Sequence, residues 1–313
     1  MALESGTYIK DLVSTNPPGT DAISQGDDHL RLIKSTIQAS FPSNTNAPTV
    51  PDIAGNGNKF LQVNSGATAT AWIAVRTAGS LNRATFAYKD ADEIYIGAGE
   101  YDLDGTTTAA YSWDSQLTFQ IGSGGSNAAS SAAGTSQWQY LYMDDSVISA
   151  SPLVAASFLN ATTAPTYNQS KHGWYNGSDR CIFAFYIDSS GNIEKWFHDG
   201  GDYVMLSDDY NNGGTTASAS YAAITIMMPS FVNKAECNVY IDGQIATARS
   251  YQYWRVTGSD GEHLLGRIED DDAEYVVNNV TIYTDSSNQI DILNNTAPNV
   301  KPYTAGWYIP GGM

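Results

Sequence analysis

"RCIFAFYIDSSGNIEKWFHDGG", residues 180–201, is the stretch that most clearly indicates how this chain folds. Two runs rich in aromatic and apolar residues flank a short polar segment, residues 188–192, that contains a glycine. Runs of this composition favour strands, and a short loop with glycine between them is typical of a β-hairpin. The stretch therefore predicts two antiparallel strands that pair with each other across the loop.

The same pattern of short strands and turns extends along the middle of the chain. "QLTFQI" (116–121) alternates strictly, so that Leu117, Phe119 and Ile121 share one face of a strand. "QWQYLYMDD" (137–145) alternates in the same way. The low-complexity segment between them, "GSGGSNAASSAAGTS" (122–136), predicts a mobile loop.

The C-terminal hundred residues contain seven more strand candidates. They follow a polar, glycine-rich stretch at 207–220 that predicts a domain boundary. The candidates are "YAAITIMMP", "ECNVYID", "YQYWRVT", "HLLGRIE", "YVVNNVTIYT", "QIDIL" and "GWYIP". Short strands at even spacing favour a β-sandwich or jelly roll, and the absence of a repeated period argues against a solenoid or β-helix.

The predicted fold class is mainly β, with an extended N-terminal segment and one amphipathic helix ahead of the β domains. Prolines, asparagines and glycines interrupt residues 43–58, and "KFLQVNSGATATAWIAV" (59–75) predicts a hairpin or a short piece of shaft. The predicted regions are 1–42, a helical module; 43–79, a linker and short β shaft; 80–206, a middle β domain; and 207–313, a C-terminal β-sandwich.

The charge of the chain excludes one class of partner. Among 313 residues, 33 are acidic and 15 are basic, which gives a formal net charge of −18. No lysine or arginine lies between Lys89 and Lys171. Because nucleic-acid binding requires clusters of basic residues, we expect no nucleic-acid partner.

The apolar runs and cysteines give expectations about compartment. No apolar run approaches 18 residues, and "MALESGTYIK" lacks the pattern of a signal peptide. We therefore expect that the chain does not insert into a membrane and that it is synthesised in a cytoplasm. Cys181 and Cys237 each lie in an apolar run, which predicts two buried free thiols.

"SQGDDHLRLIKSTI" (24–37) predicts the helix. Ser24 and Asp27 resemble a capping box, and an apolar stripe follows at helical spacing. The stripe consists of Leu30, Ile33 and Ile37. A helix of about 16 residues with one narrow stripe is marginal alone, so we expect it to dock on another copy or another protein.

Asp27, Asp28 and His29 invite a reading as metal ligands or an acid–base pair. Successive residues on a helix point about 100° apart, so three neighbours cannot converge on one ion. Acidic residues in a first turn instead interact favourably with free backbone N–H groups. We therefore favour a capping role and expect no metal site here.

Two other polar clusters leave alternatives open. "SKHGWYNGSDR" (170–180) brings together His172, Trp174, Tyr175 and Asp179, which fits a sugar-binding or hydrolytic cluster, but a turn whose aromatic rings pack on the next strand explains it better. "IEDDDAE" (268–274) offers a candidate cation site, but its spacing fails the EF-hand pattern, and a solvated loop explains it better.

"SYQYWRVTGSDGEH" (250–263) gives the candidate receptor contacts. On a strand, Tyr251, Tyr253 and Arg255 share one face, and Trp254 lies on the other. Exposed tyrosine and arginine suit recognition by stacking and hydrogen bonds. Packing of these rings in the core is the alternative.

No sequence motif of an enzyme is present: the chain lacks a GxGxxG after a strand, a Walker loop, GxSxG and HExxH. We therefore expect no catalytic residues, no metal and no cofactor.

The first 42 residues resemble the N-terminal module of tailed-bacteriophage fibre and other virion proteins. The residues that carry this resemblance are Tyr8, Ile9, Leu12, Asn16, Pro17, the run 24–29, Arg31, Ile33, Lys34, Phe41 and Pro42. The middle of the chain and the ending "GWYIPGGM" are similar to phage tail-fibre chains. The resemblance implies a homotrimeric tail fibre, located in the virion, whose residues 1–42 attach to other tail proteins and whose C-terminal domain binds a bacterial surface glycan or protein.

Two alternatives stay open from the sequence. One is a virion component without receptor contact, such as a head fibre, a collar or an adaptor for another fibre. The other, less favoured, is a polysaccharide-degrading tailspike, because glycosidases that use carboxylates leave little local signature.

Overall fold

A computed structural model describes residues 26–40, 59–63, 70–74, 80–104, 110–198, 200–243, 250–268 and 274–313. The chain divides into two units, Met1–Arg76 and Thr77–Met313. Over the described ranges it is mainly β, with one α-helix and several antiparallel sheets. This confirms the predicted fold class, and the homotrimer stays a prediction.

The first unit contains the predicted helix and hairpin. Helix α1 covers Gly26–Ser40. Strands β1 (Lys59–Val63) and β2 (Thr70–Ala74) pair antiparallel, with Lys59 opposite Ala74. In the parts of the chain that are described, no helix has both the length and the apolar character needed to cross a membrane.

The second unit begins with two three-stranded sheets. The first contains β3 (Ser80–Asn82), β6 (Gly99–Asp102) and β7 (Ala110–Trp113). The second contains β4 (Phe86–Tyr88), β5 (Glu93–Ile96) and β8 (Leu117–Gln120).

A five-stranded sheet follows. In chain order it contains β9 (Gln137–Met143), β10 (Phe158–Ala161), β11 (Thr166–Asn168), β12 (Gly173–Asn176) and β13 (Asp179–Ile187), in the spatial order β10-β9-β13-β12-β11. A single 3₁₀ turn, Ala155–Ser157, precedes β10. The central strand β13 is buried on both faces from Arg180 to Phe185.

The hairpin predicted at 180–201 forms only at its turn, and the predicted pairing of its two strands is wrong. The turn forms, since the N–H of Asp188 donates to the carbonyl of Asn192 at 2.8 Å, but the pairing ends at the single bridge between Ile187 and Ile193. Strand β14 (Trp196–His198) then pairs with β15 (Tyr203–Asn211) in another sheet. The indole of Trp196 is buried, with its ring centroid 5.4 Å from that of Phe183, and burial of this ring draws the chain into the facing layer.

The C-terminal strands belong to an eight-stranded sheet that includes β14 and β15. The others are β16 (Thr215–Thr225), β17 (Lys234–Gly243), β18 (Ser250–Val256), β19 (His263–Ile268), β20 (Glu274–Tyr283) and β21 (Gln289–Tyr308). Strand β18 pairs with the first part of β21, and β15 and β17 pair with its second part. Strand β16 pairs with both parts.

Strand β21 bends along its length. Thr225 lies opposite Gln289 at the start of β21, whereas Ala235 lies opposite Trp307 near its end. The ten residues from Thr225 to Ala235 reach at most about 36 Å, but a straight strand from Gln289 to Trp307 would span about 60 Å. The strand therefore cannot be straight, and a bend of this kind is compatible with the predicted β-sandwich.

One local prediction in this region needs correction. "QIDIL" and "GWYIP" belong to the two ends of the single strand β21, so the seven candidates give six strands. The polar stretch 207–220 includes the end of β15 and the start of β16, and the domain boundary predicted there stays a prediction. Small polar residues form a strand here because β21 supplies the pairing partner. The roles assigned to the four predicted regions stay predictions.

Hydrogen bonds from side chains of the five-stranded sheet hold the low-complexity segment 122–136. Buried Asn160 accepts the N–H of Gly122 at 3.0 Å and donates to the carbonyl of Ser131 at 2.9 Å. The amide of Gln139 donates to the carbonyl of Ala133 at 2.8 Å. Buried amide side chains thus supply the contacts that the segment's own composition does not indicate. Cys181 and Cys237 are buried free thiols, as predicted.

Candidate functional site

The predicted attachment stripe is exposed on helix α1. Leu30, Ile33 and Ile37 are 59%, 41% and 42% exposed. The other predicted residues of this group, the caps Ser24 and Asp27, lie outside the residues or side chains that the structure describes. An apolar stripe with this exposure presents a surface that a partner helix or groove can cover.

The described side chains of the Asp27-Asp28-His29 cluster, those of Asp28 and His29, do not form a set of metal ligands. His29 is buried, whereas Asp28 is only half-buried, so the two side chains occupy different environments. Elsewhere in the described chain, oxygen atoms of Asp90, Asp92 and Glu93 lie within 4.8 Å of one another. Lys89 pairs with Glu93, and Gln120 donates to Asp92 at 3.0 Å, so protein groups already satisfy these carboxylates.

The candidate receptor contacts lie on one face of β18, as the alternation predicts. The rings of Tyr251 and Tyr253 stack, with centroids 6.4 Å apart and planes inclined by 23°. The ring of Trp254 is buried on the opposite face. Tyr251, Tyr253 and Arg255 are half-buried, so each presents part of its surface to solvent.

Two neighbouring strands hold Arg255 in place. Its Nε lies 3.2 Å from Oδ2 of Asp291 on β21, and its guanidinium carbon lies 3.8 Å from the ring centroid of Tyr221 on β16. The hydroxyl of Thr257 donates to Oδ1 of the same aspartate at 3.1 Å. A guanidinium fixed by an ion pair and a ring loses little further freedom when it binds a ligand.

A hydrogen bond between Tyr221 and Glu262 lies beside Arg255 on this face. Burial, followed by the hydrogen bond to Glu262, raises the pKa of Tyr221 to about 12. The phenol therefore stays protonated near neutral pH and donates to the glutamate. We call the surface formed by Tyr221, Tyr251, Tyr253, Arg255 and Glu262 the tyrosine–arginine face.

Sequence reasoning found the residues on β18 but missed the partners of Arg255. Asp291 interrupts the apolar run "QIDIL", and alternation places it on the face opposite Ile290 and Ile292. A charged residue inside an otherwise apolar strand was the available signal. Tyr221 carries no comparable signal, because a tyrosine at a strand position fits a core as well as a surface.

The cluster at 170–180 does not converge on one site. His172 is exposed at a turn with a positive φ of 47°. Trp174 is half-buried and donates its indole N–H to the carbonyl of Gly311 at 3.0 Å. Tyr175 is buried and accepts from Arg180 at 2.9 Å, and Asp179 accepts the N–H of Asp145 at 2.9 Å. Burial raises the pKa of the Asp179 carboxyl, and the nearby carboxylates of Asp144 and Asp145, which lie outside this cluster, act in the same direction.

Arg180, which sequence reasoning passed over, organises the interior instead. It is fully buried. Its Nη1 donates to the carbonyl of Asp102 at 2.5 Å and to the hydroxyl of Tyr175 at 2.9 Å, and its Nη2 donates to the carbonyl of Gly312 at 2.7 Å. One side chain thus links three separate parts of the chain. The acidic run 268–274, the other candidate cation site, lies almost wholly outside the described side chains.

Comparisons with known proteins add no identification. No family model matches the sequence, and no curated protein matches it. The chain is similar to a solved structure of an exo-beta-1,3-galactanase from Phanerochaete chrysosporium with beta-1,3-galactotriose, at 12% identity and a TM-score of 0.21, over 79% of this chain. The match spans 62% of the length of that enzyme. At this TM-score the likeness carries no argument about activity.

Proposed function

We propose that this chain is a tail fibre of a tailed bacteriophage, a structural virion protein without catalytic activity. Residues 1–42 attach it to other tail proteins, and its C-terminal region contacts the bacterial surface. The observation that carries the proposal is the exposed stripe of Leu30, Ile33 and Ile37 on α1. A short helix gains stability by packing its apolar face, and a neighbouring virion subunit would provide that packing.

The tyrosine–arginine face supports the adhesion half of the proposal. Its rings and guanidinium are already held by contacts within the protein, so binding orders few side chains. Tyrosine and arginine are also the residue types enriched at the energetic centres of interfaces. A homotrimer is part of the proposal, and sedimentation equilibrium that gives a mass of 33.6 kDa for the purified chain would contradict it.

Replacing Ile33 with aspartate should prevent incorporation of the chain into particles. The charge would stand in the centre of the stripe, and burying an unpaired carboxylate in an apolar interface is strongly unfavourable. The control is Lys34→Asp, which places the same residue one position further on, off the stripe. The measurement is the amount of chain in purified particles of the phage that encodes it. Equal incorporation of the two variants would contradict attachment through the stripe.

Replacing Tyr253 with alanine should weaken adhesion of the purified protein to host cells by about tenfold, the effect of losing one interfacial aromatic contact. Tyr283→Ala is the control, because Tyr283 is exposed and lies on β20, off the tyrosine–arginine face. Flow cytometry with labelled protein measures the binding. Adhesion that survives Tyr253→Ala unchanged would exclude this face as the contact. Polysaccharide cleavage by the unmodified protein would instead contradict the non-catalytic role.

A further inference from the structure

A cleft lies between the five-stranded sheet and the turns that join β16 to β17 and β20 to β21. It has two lobes, of about 620 Å³ and about 470 Å³, and Ser230 lines both. Each lobe falls within the range of about 300–1,000 Å³ that is usual for ligand pockets.

Each lobe is lined by three aromatic rings in contact with one another. In the larger lobe, the ring centroid of Tyr186 lies 5.3 Å from that of Trp138 and 6.1 Å from that of Tyr210. We call this group the Trp138 trio. The rings stand on β9, β13 and β15, so the trio spans two sheets.

The smaller lobe repeats the arrangement. The ring centroid of Trp174 lies 5.4 Å from that of Tyr167 and 5.0 Å from that of Phe231. We call this group the Trp174 trio. The hydrogen bond from the Trp174 indole to the carbonyl of Gly311 fixes the orientation of the central ring.

A buried acceptor without a hydrogen bond lines each lobe. Asn288 and Thr284 are each 7% exposed, and Oδ1 of Asn288 and Oγ1 of Thr284 meet no hydrogen-bonding partner among the described residues. Nδ2 of Asn288 is engaged, since it donates to the carbonyl of Met228 at 3.0 Å. Both atoms are sealed from solvent, so they keep the side chains of Asn288 and Thr284 polar beneath the cleft wall without presenting an acceptor at its surface.

The cleft carries almost no charge. None of the described residues that line the larger lobe is an aspartate, glutamate, histidine, lysine or arginine, and the smaller lobe includes one such residue, Asp285. One oxygen of that carboxylate already accepts the backbone N–H groups of Ser287 and Gln289, each at 2.8 Å. An anionic ligand would meet no arginine or lysine here. The lining therefore suits an uncharged ligand with apolar faces and several hydroxyls.

We propose that this cleft binds a neutral oligosaccharide, with one sugar ring against the Trp138 trio and another against the Trp174 trio. A pyranose has a face of C–H groups that packs on an aromatic ring and a rim of hydroxyls that can bond to polar groups of the lining, such as Asn211, Asn212 and Ser230. This site is separate from the tyrosine–arginine face. The inference rests on the cleft alone and holds whether or not the chain is part of a virion.

Isothermal titration of the purified full-length chain tests the proposal. The probes are neutral oligosaccharides of glucose, galactose, mannose, rhamnose or N-acetylglucosamine, with oligogalacturonate as the acidic comparison. Binding to at least one neutral probe is expected. Tyr167→Ala and Tyr210→Ala, one in each lobe, should each weaken it by about tenfold. Both residues are 41% exposed, so their loss leaves the fold intact, and Tyr283→Ala is the matched control with unchanged affinity.

Three results would overturn the inference: no binding to any neutral probe, preference for oligogalacturonate, or full affinity in both cleft variants. If Tyr253→Ala abolished binding and the cleft variants did not, the sugar would occupy the tyrosine–arginine face instead. The test does not depend on particle incorporation. A failure of the tail-fibre proposal is therefore distinguishable from a failure of this one.

Discussion

Replacing Phe183 with alanine should lower the free energy of unfolding by about 3–5 kcal/mol, the usual loss for a large buried aromatic ring. The Phe183 ring is fully buried at the meeting point of three sheets. It stacks on Phe86 at 4.3 Å, and it lies 5.4 Å from Trp196 and 5.9 Å from Trp307. Alanine would leave a cavity that touches these three sheets, and close packing gives the surroundings little room to collapse.

The chain offers a matched control in Phe197, which is 62% exposed on β14. Phe197→Ala should change the free energy of unfolding by no more than about 0.5 kcal/mol, as is usual for surface substitutions. Urea unfolding followed by tryptophan fluorescence and circular dichroism measures both variants. Similar losses for the two phenylalanines would contradict the position of Phe183 at the centre of the core.

The strands that contain Phe183 and Phe197 show how much of the fold the local sequence pattern predicts. The runs that contain them are correctly predicted as strands, because aromatic and β-branched residues favour strands. The pairing between the two runs is wrong. Alternation and loop composition describe each segment alone, whereas Trp196 also packs against Tyr88, which is distant in the sequence and belongs to another sheet. Strand existence was therefore predictable, but sheet membership was not.

The segment 122–136 shows the same limit for loops. Its composition predicts mobility, but Asn160 and Gln139, which lie outside the segment, hold its backbone. A buried amide looks the same in a sequence as an exposed one. Only the fold identifies which asparagine or glutamine supplies these hydrogen bonds.

The tyrosine–arginine face and the cleft also differ in how much of each could be predicted from the sequence. A strand's period of two places Tyr251, Tyr253 and Arg255 together, and the structure has them on one face. The cleft needed long-range information, because the Trp174 trio combines rings from β11, β12 and the turn after β16. The sequence offered Trp174 as part of a sugar-binding cluster, but the fold gives it different neighbours from those the sequence suggested.

Replacing Arg180 with methionine should also destabilise the protein by about 3–5 kcal/mol, because it removes the donor of several buried hydrogen bonds to a charged group. Methionine keeps much of the apolar stem, so the loss reports mainly the hydrogen bonds. The carbonyls of Asp102 and Gly312 and the hydroxyl of Tyr175 would lose their guanidinium donor. Each buried acceptor left unsatisfied costs about 1–3 kcal/mol, so two such losses suffice for the expected effect.

Two further variants test whether the loss of stability comes from the buried guanidinium of Arg180. Arg267→Met removes an exposed arginine and should stay within about 0.5 kcal/mol of the unmodified protein. Arg180→Lys retains the charge but lacks the planar fork that reaches three acceptors at once, so its loss should be intermediate. Urea unfolding measures all three. If Arg180→Met were as stable as Arg267→Met, the guanidinium would not join these segments energetically, and the apolar packing around β13 alone would account for the stability of this region.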